Sequence, residues 1–380
     1  MGGIFVEVGD NFIGVRVEEP LDALFEIVDL ATDGQTWRAE RITIESLVVI
    51  AELRPVYSTI GPLPADAGRA LPSAGVAPTP TAVALIELPD DGTGEADSPV
   101  IAVAASNTSA SWRRVPLSVA VGGSTTMLAT SAAPATLGQT VPSLGRGQSA
   151  VFDLINSFEV VLVNPTDWLE SRDDDSLADG ANLALAGSEI IQFGEALPLG
   201  DGRFRLGRLL RGRRGTEWAM DSHPVGERFV VLERERLRRL PLTSAHTGSL
   251  IGVTALGLAD GEGALVEIVA AGEAMRPPSP VHLRAVVDAS GTLRCTWVRR
   301  SRRGWAWLDG VDSPLGCATE RYRTTLSNGS AVLQAESMAP GVDFGPGDLA
   351  SLGSGPIDIA VVQIGDLGVS RAATLTISNS

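Results

Sequence analysis

Ala181-Asn-Leu-Ala-Leu-Ala-Gly-Ser-Glu-Ile-Ile-Gln-Phe193 decides how this chain folds. Its apolar residues fall in two short runs separated by Gly187-Ser188. Short runs bounded by turn residues read as paired strands. Arg203 to Leu210 and Arg228 to Leu232 continue the pattern downstream, and Phe158 to Val163 precedes it. Further upstream, Thr81 to Leu88 and Pro99 to Ala105 are apolar runs on either side of a polar loop, Pro89 to Asp97. Ser111 to Val121 and Ser124 to Ala129 flank Gly122-Gly123, a hairpin signal.

The two ends of the chain read differently. Ile4 to Val8 and Phe12 to Val17 predict strands, whereas Leu21, Leu24, Phe25 and Val28 give Pro20 to Leu30 a helical spacing. Ile42 to Leu53 fits a strand or a helix, and Gly61 to Pro80 is rich in Pro, Ala and Gly, as in a linker or an extended arm. The prolines of Ala274 to Pro280 predict a second, stiff linker. Beyond it, Val281 to Val287, Thr292 to Val298, Glu320 to Ser327, Ala331 to Gln334, Ile357 to Ile364 and Ala372 to Ile377 give strands at sandwich spacing, with Trp297 in the core. The expected fold is therefore mainly β: several small β-domains ending in a fibronectin-III-like β-sandwich. The expected divisions are a mixed α/β region with a Pro-rich arm over 1–80, β-rich domains over 81–274, and the sandwich over 275–380.

Composition narrows the class. A chain of 380 residues exceeds one ordinary core. Gly 42 and Pro 23 interrupt it often, and the mean hydropathy is +0.15. The start, Met1-Gly-Gly-Ile-Phe-Val-Glu-Val, has neither the basic nor the apolar region of a signal peptide. No apolar stretch is long enough for a membrane span, since Leu117 to Leu137 is interrupted by Gly, Ser, Thr and Pro. Cys295 and Cys317 form no disulfide framework and read as reduced packing residues. A net charge of -16 argues against nucleic acid as a ligand.

No catalytic constellation emerges. The three histidines, His223, His246 and His282, have no Gly-x-Ser-x-Gly partner and no metal-ligand spacing. Asp173-Asp174-Asp175 lacks the Gly and Glu that complete a calcium loop. No Gly-rich loop fits a nucleotide fingerprint. The sequence thus predicts no enzyme, no cofactor and no metal.

Arginine carries the remaining signal. All 30 basic residues are Arg. They concentrate in Gly202-Arg-Phe-Arg-Leu-Gly-Arg-Leu-Leu-Arg-Gly-Arg-Arg-Gly-Thr216 and in Trp297-Val-Arg-Arg-Ser-Arg-Arg-Gly-Trp-Ala-Trp307. A GC-rich genome accounts for a lack of Lys but not for the clustering. Arg grips carboxylates with a planar fork and stacks on indoles, so fixed contacts are the expected role. The candidate interface or architectural residues are Arg211, Arg213, Arg214, Arg299, Arg300, Arg302, Trp305 and Trp307. The first three are expected to pair with acids inside the domain or across a subunit contact, in a hairpin that Gly212 and Gly215 allow to turn. Trp305 and Trp307 share one face of an extended segment, as a cap on the sandwich or a contact surface.

Several of these motifs resemble one family. Asp179 to Phe193, Phe204 to Glu217 with its Leu-Leu-Arg-Gly-Arg-Arg-Gly-Thr core, and His223-Pro-Val-Gly-Glu-Arg-Phe-Val230 are similar to the tail-tip hub proteins of siphophages and of alphaproteobacterial gene transfer agents, the "megatron" type. Arg276 to Leu283, Trp297 to Arg302, Pro314-Leu-Gly316, Glu320-Arg-Tyr322 and Val361 to Ile364 also look like that family's C-terminal domain. The resemblance spans Phe158 to Ile377. It implies a structural component of a baseplate hub in the virion, assembled in the host cytoplasm, that closes the distal tail tube and links it to host-facing parts. It implies a homotrimer whose partners are the distal tail protein, other hub proteins, and the tape measure or fibres. The family's N-terminal TIM-barrel region is missing here, so the chain looks like the C-terminal part of a hub, and glycan cleavage is not carried over. Cys317 stands where an acid is expected after Pro-Leu-Gly, which removes a salt bridge. The alternative is a binding module for a host receptor or glycan, presented by the sandwich loops near Arg302 to Asp312.

Overall fold

The structure, a computed structural model, describes residues 4–9, 12–17, 36–45, 48–56, 78–92, 95–109, 112–141, 143–304 and 313–379. The chain divides into two compact units, Met1–Gly75 and Val76–Ser380. Among the described residues the fold is mainly β.

The first unit contains β1 (Ile4–Gly9), β2 (Phe12–Val17), β3 (Thr36–Glu45) and β4 (Val48–Val56). They form one antiparallel sheet in the order β1-β2-β4-β3. Ile42 to Leu53, ambiguous in sequence, is the end of β3 and the start of β4. The helix expected over Pro20 to Leu30 and most of the Pro-rich arm lie outside the described residues.

The second unit begins with two hairpins, β5 (Ala82–Leu88) with β6 (Val100–Ser106), and β7 (Pro116–Val121) with β8 (Ser124–Thr130). Gly122 and Gly123 take φ of 59° and 85°, the left-handed pair that a tight hairpin needs. Six strands then close a barrel: β9 (Leu137–Thr140), β10 (Phe158–Leu162), β11 (Leu183–Ala186), β12 (Glu189–Gly200), β13 (Arg203–Leu210) and β14 (Arg228–Val231). Every pairing around it is antiparallel. Phe158, Phe193, Phe204 and Phe229 fill its interior, with Phe229 tilted against Phe158 and Phe193 at 6.4 and 6.5 Å. Closure removes the open edges that a six-stranded sheet would otherwise expose. A short helix, α1 (Asp174–Ala178), capped by the Asp173 carboxylate, buries Leu177.

After the barrel the chain returns to complete the hairpins with β15 (Leu237–Arg239), β16 (Leu250–Ala255) and β17 (Ala264–Val269). The sheets β15-β6-β5 and β17-β16-β7-β8 share a core of Leu85, Ile101, Val103, Leu117, Val119, Ile251 and Val253. The barrel is thus an insertion within a small sandwich, and both lie in the stretch expected to hold β-rich domains, 81–274. The other face of β5 and β6 packs Ala84, Ile86, Ala102 and Ala104 on Leu137, Leu185, Ile190 and Val230 of the barrel. Burial on both faces explains why these two strands read as continuous apolar runs rather than alternating ones.

The expected linker over Ala274 to Pro280 is docked, not free. Ala274, Met275, Pro278 and Pro280 are buried. The Glu87 carboxylate fixes the chain just before them by accepting the backbone N–H groups of Ala271, Gly272 and Glu273 at 2.8, 2.6 and 3.0 Å. Burial pushes Glu87 above the ordinary glutamate value, although those three N–H groups pull it back.

The C-terminal sandwich has β18 (Val281–Val287), β19 (Leu293–Val298), β20 (Tyr322–Ser327), β21 (Val332–Ser337), β22 (Gly341–Phe344), β23 (Gly355–Gln363) and β24 (Ala373–Asn379). The sheets run β18-β19-β22 and β21-β20-β23-β24, the three-on-four layout of a fibronectin-III-like domain. Trp297 is buried between them, edge-on to Tyr322 at 5.1 Å. Sequence reading missed β22 and the helix α2 (Pro346–Leu352), which seals the core with Leu349 and Leu352. Cys295 and Cys317 are both free thiols, and burial pushes Cys295 up to about 11.

Candidate functional site: an arginine-centred joint

Arg211 follows β13 directly, and its side chain is fully buried at one end of the barrel. Its Nε and Nη2 donate to the two oxygens of Glu189, the first residue of β12, both at 2.8 Å. Nη1 donates to the Gly145 carbonyl at 2.9 Å and to Asp153 Oδ2 at 3.2 Å. Gly212 N adds a bond to Glu189 Oε1 at 2.6 Å. His223 closes the network, with Nε2 2.7 Å from Glu189 Oε2 and Nδ1 2.6 Å from Glu227 Oε1.

The charge states follow from the geometry. An ionised carboxylate only accepts hydrogen bonds, so an imidazole held between two of them must donate from both nitrogens and be protonated. Burial opposes that charge, but the bonds to Glu189 and Glu227 overcome it and lift His223 to about 9. Burial likewise pushes Glu189 upward, while His223 and the Arg211 guanidinium outweigh it and hold the carboxyl below its usual value. The network ties the β12–β13 end, the 145–156 segment and the 223–227 turn into one body.

The Arg-rich segment is consequently not a projecting hairpin. After Arg211 the chain turns through Gly212 (φ 58°) and Arg214 (φ 55°) into a short 3-10 turn, Arg213–Gly215. Thr216 Oγ1 locks the turn by donating to the Arg213 carbonyl at 2.8 Å and accepting Ile190 N at 2.9 Å. Gly212 has no room for a side chain, since a Cβ there would lie 2.9 Å from Glu217 Cα. Burial pulls the guanidinium of Arg213 below its usual value, with Glu217 opposing it and Arg300 adding to it.

The second Arg cluster faces the same joint from the sandwich. Arg300 pairs with Glu217 at 2.9 Å, and Arg299 stands 3.8 Å from Glu320. Arg302 donates to the carbonyls of Ala96 and Ala274 at 2.7 and 3.1 Å. It is therefore spent on docking the sandwich rather than displayed at a loop tip. Trp305 and Trp307 lie outside the described residues. Sequence reasoning overlooked the other half of the joint. Arg371, between β23 and β24, stacks 3.6 Å over the Trp218 ring and pairs with Glu273 at 2.6 Å. It also overlooked Glu189 and Asp153. The one available signal was Glu189 itself, a lone acid inside an apolar strand pair.

No cluster of His, Cys, Asp or Glu among the described residues is arranged to hold a metal ion. No helix of the described residues is long and apolar enough to cross a membrane. What this arrangement does chemically is hold: every group in the Arg211 network satisfies another.

The family model described as "Rcc01698-like, C-terminal" matches residues 135–230, which are the barrel and the whole Arg211 network. No curated protein matches the chain. Among solved structures, a two fibronectin type-III domain segment from chicken tenascin aligns at 7% identity over 80% of this chain and 100% of that one, TM-score 0.23. The chicken interferon gamma receptor alpha chain aligns at 10% identity over 63% and 98%, TM-score 0.21. At such scores neither alignment bears on the fold, which the strand pairing defines.

Proposed function

We propose that the chain is a structural component of a siphophage-like tail tip, a baseplate-hub protein that closes the distal tail tube and joins it to host-facing parts. The observation that carries this is the family-model match over residues 135–230, which overlaps the stretch where the sequence resembles gene-transfer-agent hub proteins from Phe158 onward. The architecture supports it. Three β-bodies in the second unit are joined by half-buried ion pairs, Arg300 with Glu217 and Arg371 with Glu273, and by a docked proline segment, an arrangement suited to bearing load. In this proposal the protein works as a homotrimer against the distal tail protein, other hub proteins, and the tape measure or fibres, and it does no catalysis. The binding-module alternative loses one of its presenting residues, because Arg302 is engaged with backbone carbonyls. Deleting the gene from a particle-producing strain tests the proposal. Heads and tubes with open or malformed tips are expected; tips of normal form overturn it.

A further inference from the structure

A cavity of about 250 Å³ lies where the β5–β6 hairpin, the barrel and the sandwich meet. That is far above the roughly 10–15 Å³ one ordered water needs. Five guanidiniums line it, those of Arg214, Arg228, Arg276, Arg302 and Arg371. Three acids line it as well, but each is already engaged. Glu87 accepts the three N–H groups of residues 271–273, Asp90 accepts those of Gly92 and Ala96, and Glu273 pairs with Arg371.

Only Arg371 of the five therefore has a carboxylate in contact. Arg228 donates to the Leu85 carbonyl at 2.7 Å, Arg276 to the Ala271 carbonyl at 3.1 Å, and Arg302 to the two carbonyls named above. A carbonyl oxygen satisfies a donor but carries no compensating charge. Arg214 has neither a hydrogen bond nor an ion pair among the described residues; Asp90 and Asp91 act on it only through space. Its backbone sits at φ 55°, ψ 31°, a left-handed region that costs energy for any residue with a Cβ. Burial pulls the guanidiniums of Arg214 and Arg228 below their usual values, and at Arg214 the charges of Asp91 and Asp90 offset part of that.

We propose that this cavity is a binding site for a small oxyanion, bearing a phosphate or carboxylate group, with Arg214 as its principal ligand and Arg276 as a second. The guanidinium fork matches both oxyanions, and five guanidiniums against three carboxylates leave the lining net positive, which favours an anion. The site is independent of the tail-tip proposal, since it needs only the cavity and its side chains.

Calorimetric titration of the full chain tests it, with inorganic phosphate in one arm and galacturonate in the other, at ionic strength held constant with chloride. Saturable binding is expected in at least one arm, and the arm that binds identifies the group. Arg214→Gly is expected to weaken binding at least tenfold while leaving the melting temperature unchanged or higher, because glycine accepts the left-handed backbone. Arg276→Gln, away from the strained turn, is expected to weaken binding as well. Heat no different from chloride in both arms with folded wild-type protein overturns the proposal. So does wild-type affinity in both variants.

Discussion

The Arg211 guanidinium meets the Glu189 carboxylate through two parallel hydrogen bonds of 2.8 Å, and neither side chain exposes any surface. A buried pair of this kind adds little over an apolar pair of equal volume, but losing one partner strands a charge in the interior. The asymmetry makes the joint testable one residue at a time.

Arg211→Met leaves Glu189 and Asp153 facing an apolar chain. The expected loss is about 3–5 kcal/mol of unfolding free energy, read from denaturant titration. Arg211→Lys recovers only a minor part, because an ammonium cannot make the two-pronged contact. A loss under about 1 kcal/mol in the Met variant contradicts the account.

His223 makes stability depend on alkaline pH. Its folded pKa, about 9, lies above the unfolded value of 6.5. Its contribution is therefore complete below about pH 6.5 and is lost progressively as pH rises through 9. The shift corresponds to a loss on the order of 3 kcal/mol. Melting curves at stepped pH are expected to fall across that window in the wild type and to flatten in His223→Gln. Equal slopes in the two proteins rule out His223 as the source.

Gly147 bounds the same network from outside. A Cβ there would lie 2.5 Å from Asp153 Oδ2 and 2.9 Å from an Arg211 nitrogen. Gly147→Ala must displace one of the two and is expected to cost about 1–3 kcal/mol. Unfolding thermodynamics indistinguishable from wild type show that the network has slack the geometry does not suggest.

Arg371 joins the sandwich to the rest of the second unit by stacking on Trp218 and pairing with Glu273. Arg371→Ala is expected to leave the sandwich core intact while loosening the joint. Limited proteolysis then cuts within residues 274–280 several-fold faster than in wild type. Unchanged cleavage means the docked prolines hold the joint without it.

Much of the fold could be read from the chain because its strands are short, apolar and punctuated by glycine. The sandwich strands at Val281–Val287 and Leu293–Val298 are examples. Barrel closure could not be read in this way. It depends on β9, Leu-Gly-Gln-Thr, whose composition carries no strand signal and which is a strand only because β10 and β14 pair with it from far along the chain. β16 and β17, which complete a sandwich begun before the barrel, escaped notice although both are apolar runs of strand length. The Arg cluster was visible, but not the unequal roles within it. Arg203 and Arg205 serve a half-buried acid, Glu159, from exposed positions, whereas Arg211 is wholly buried, and only the three-dimensional position of Glu189 separates them.

The proposed function requires the chain to sit at the tail tip. Immunogold electron microscopy of purified particles, with antibody raised to the sandwich over residues 281–379, addresses it directly. Gold confined to the distal end of the tail is the predicted result. Gold on the capsid or spread along the shaft, or particles that carry none of the chain, contradicts it.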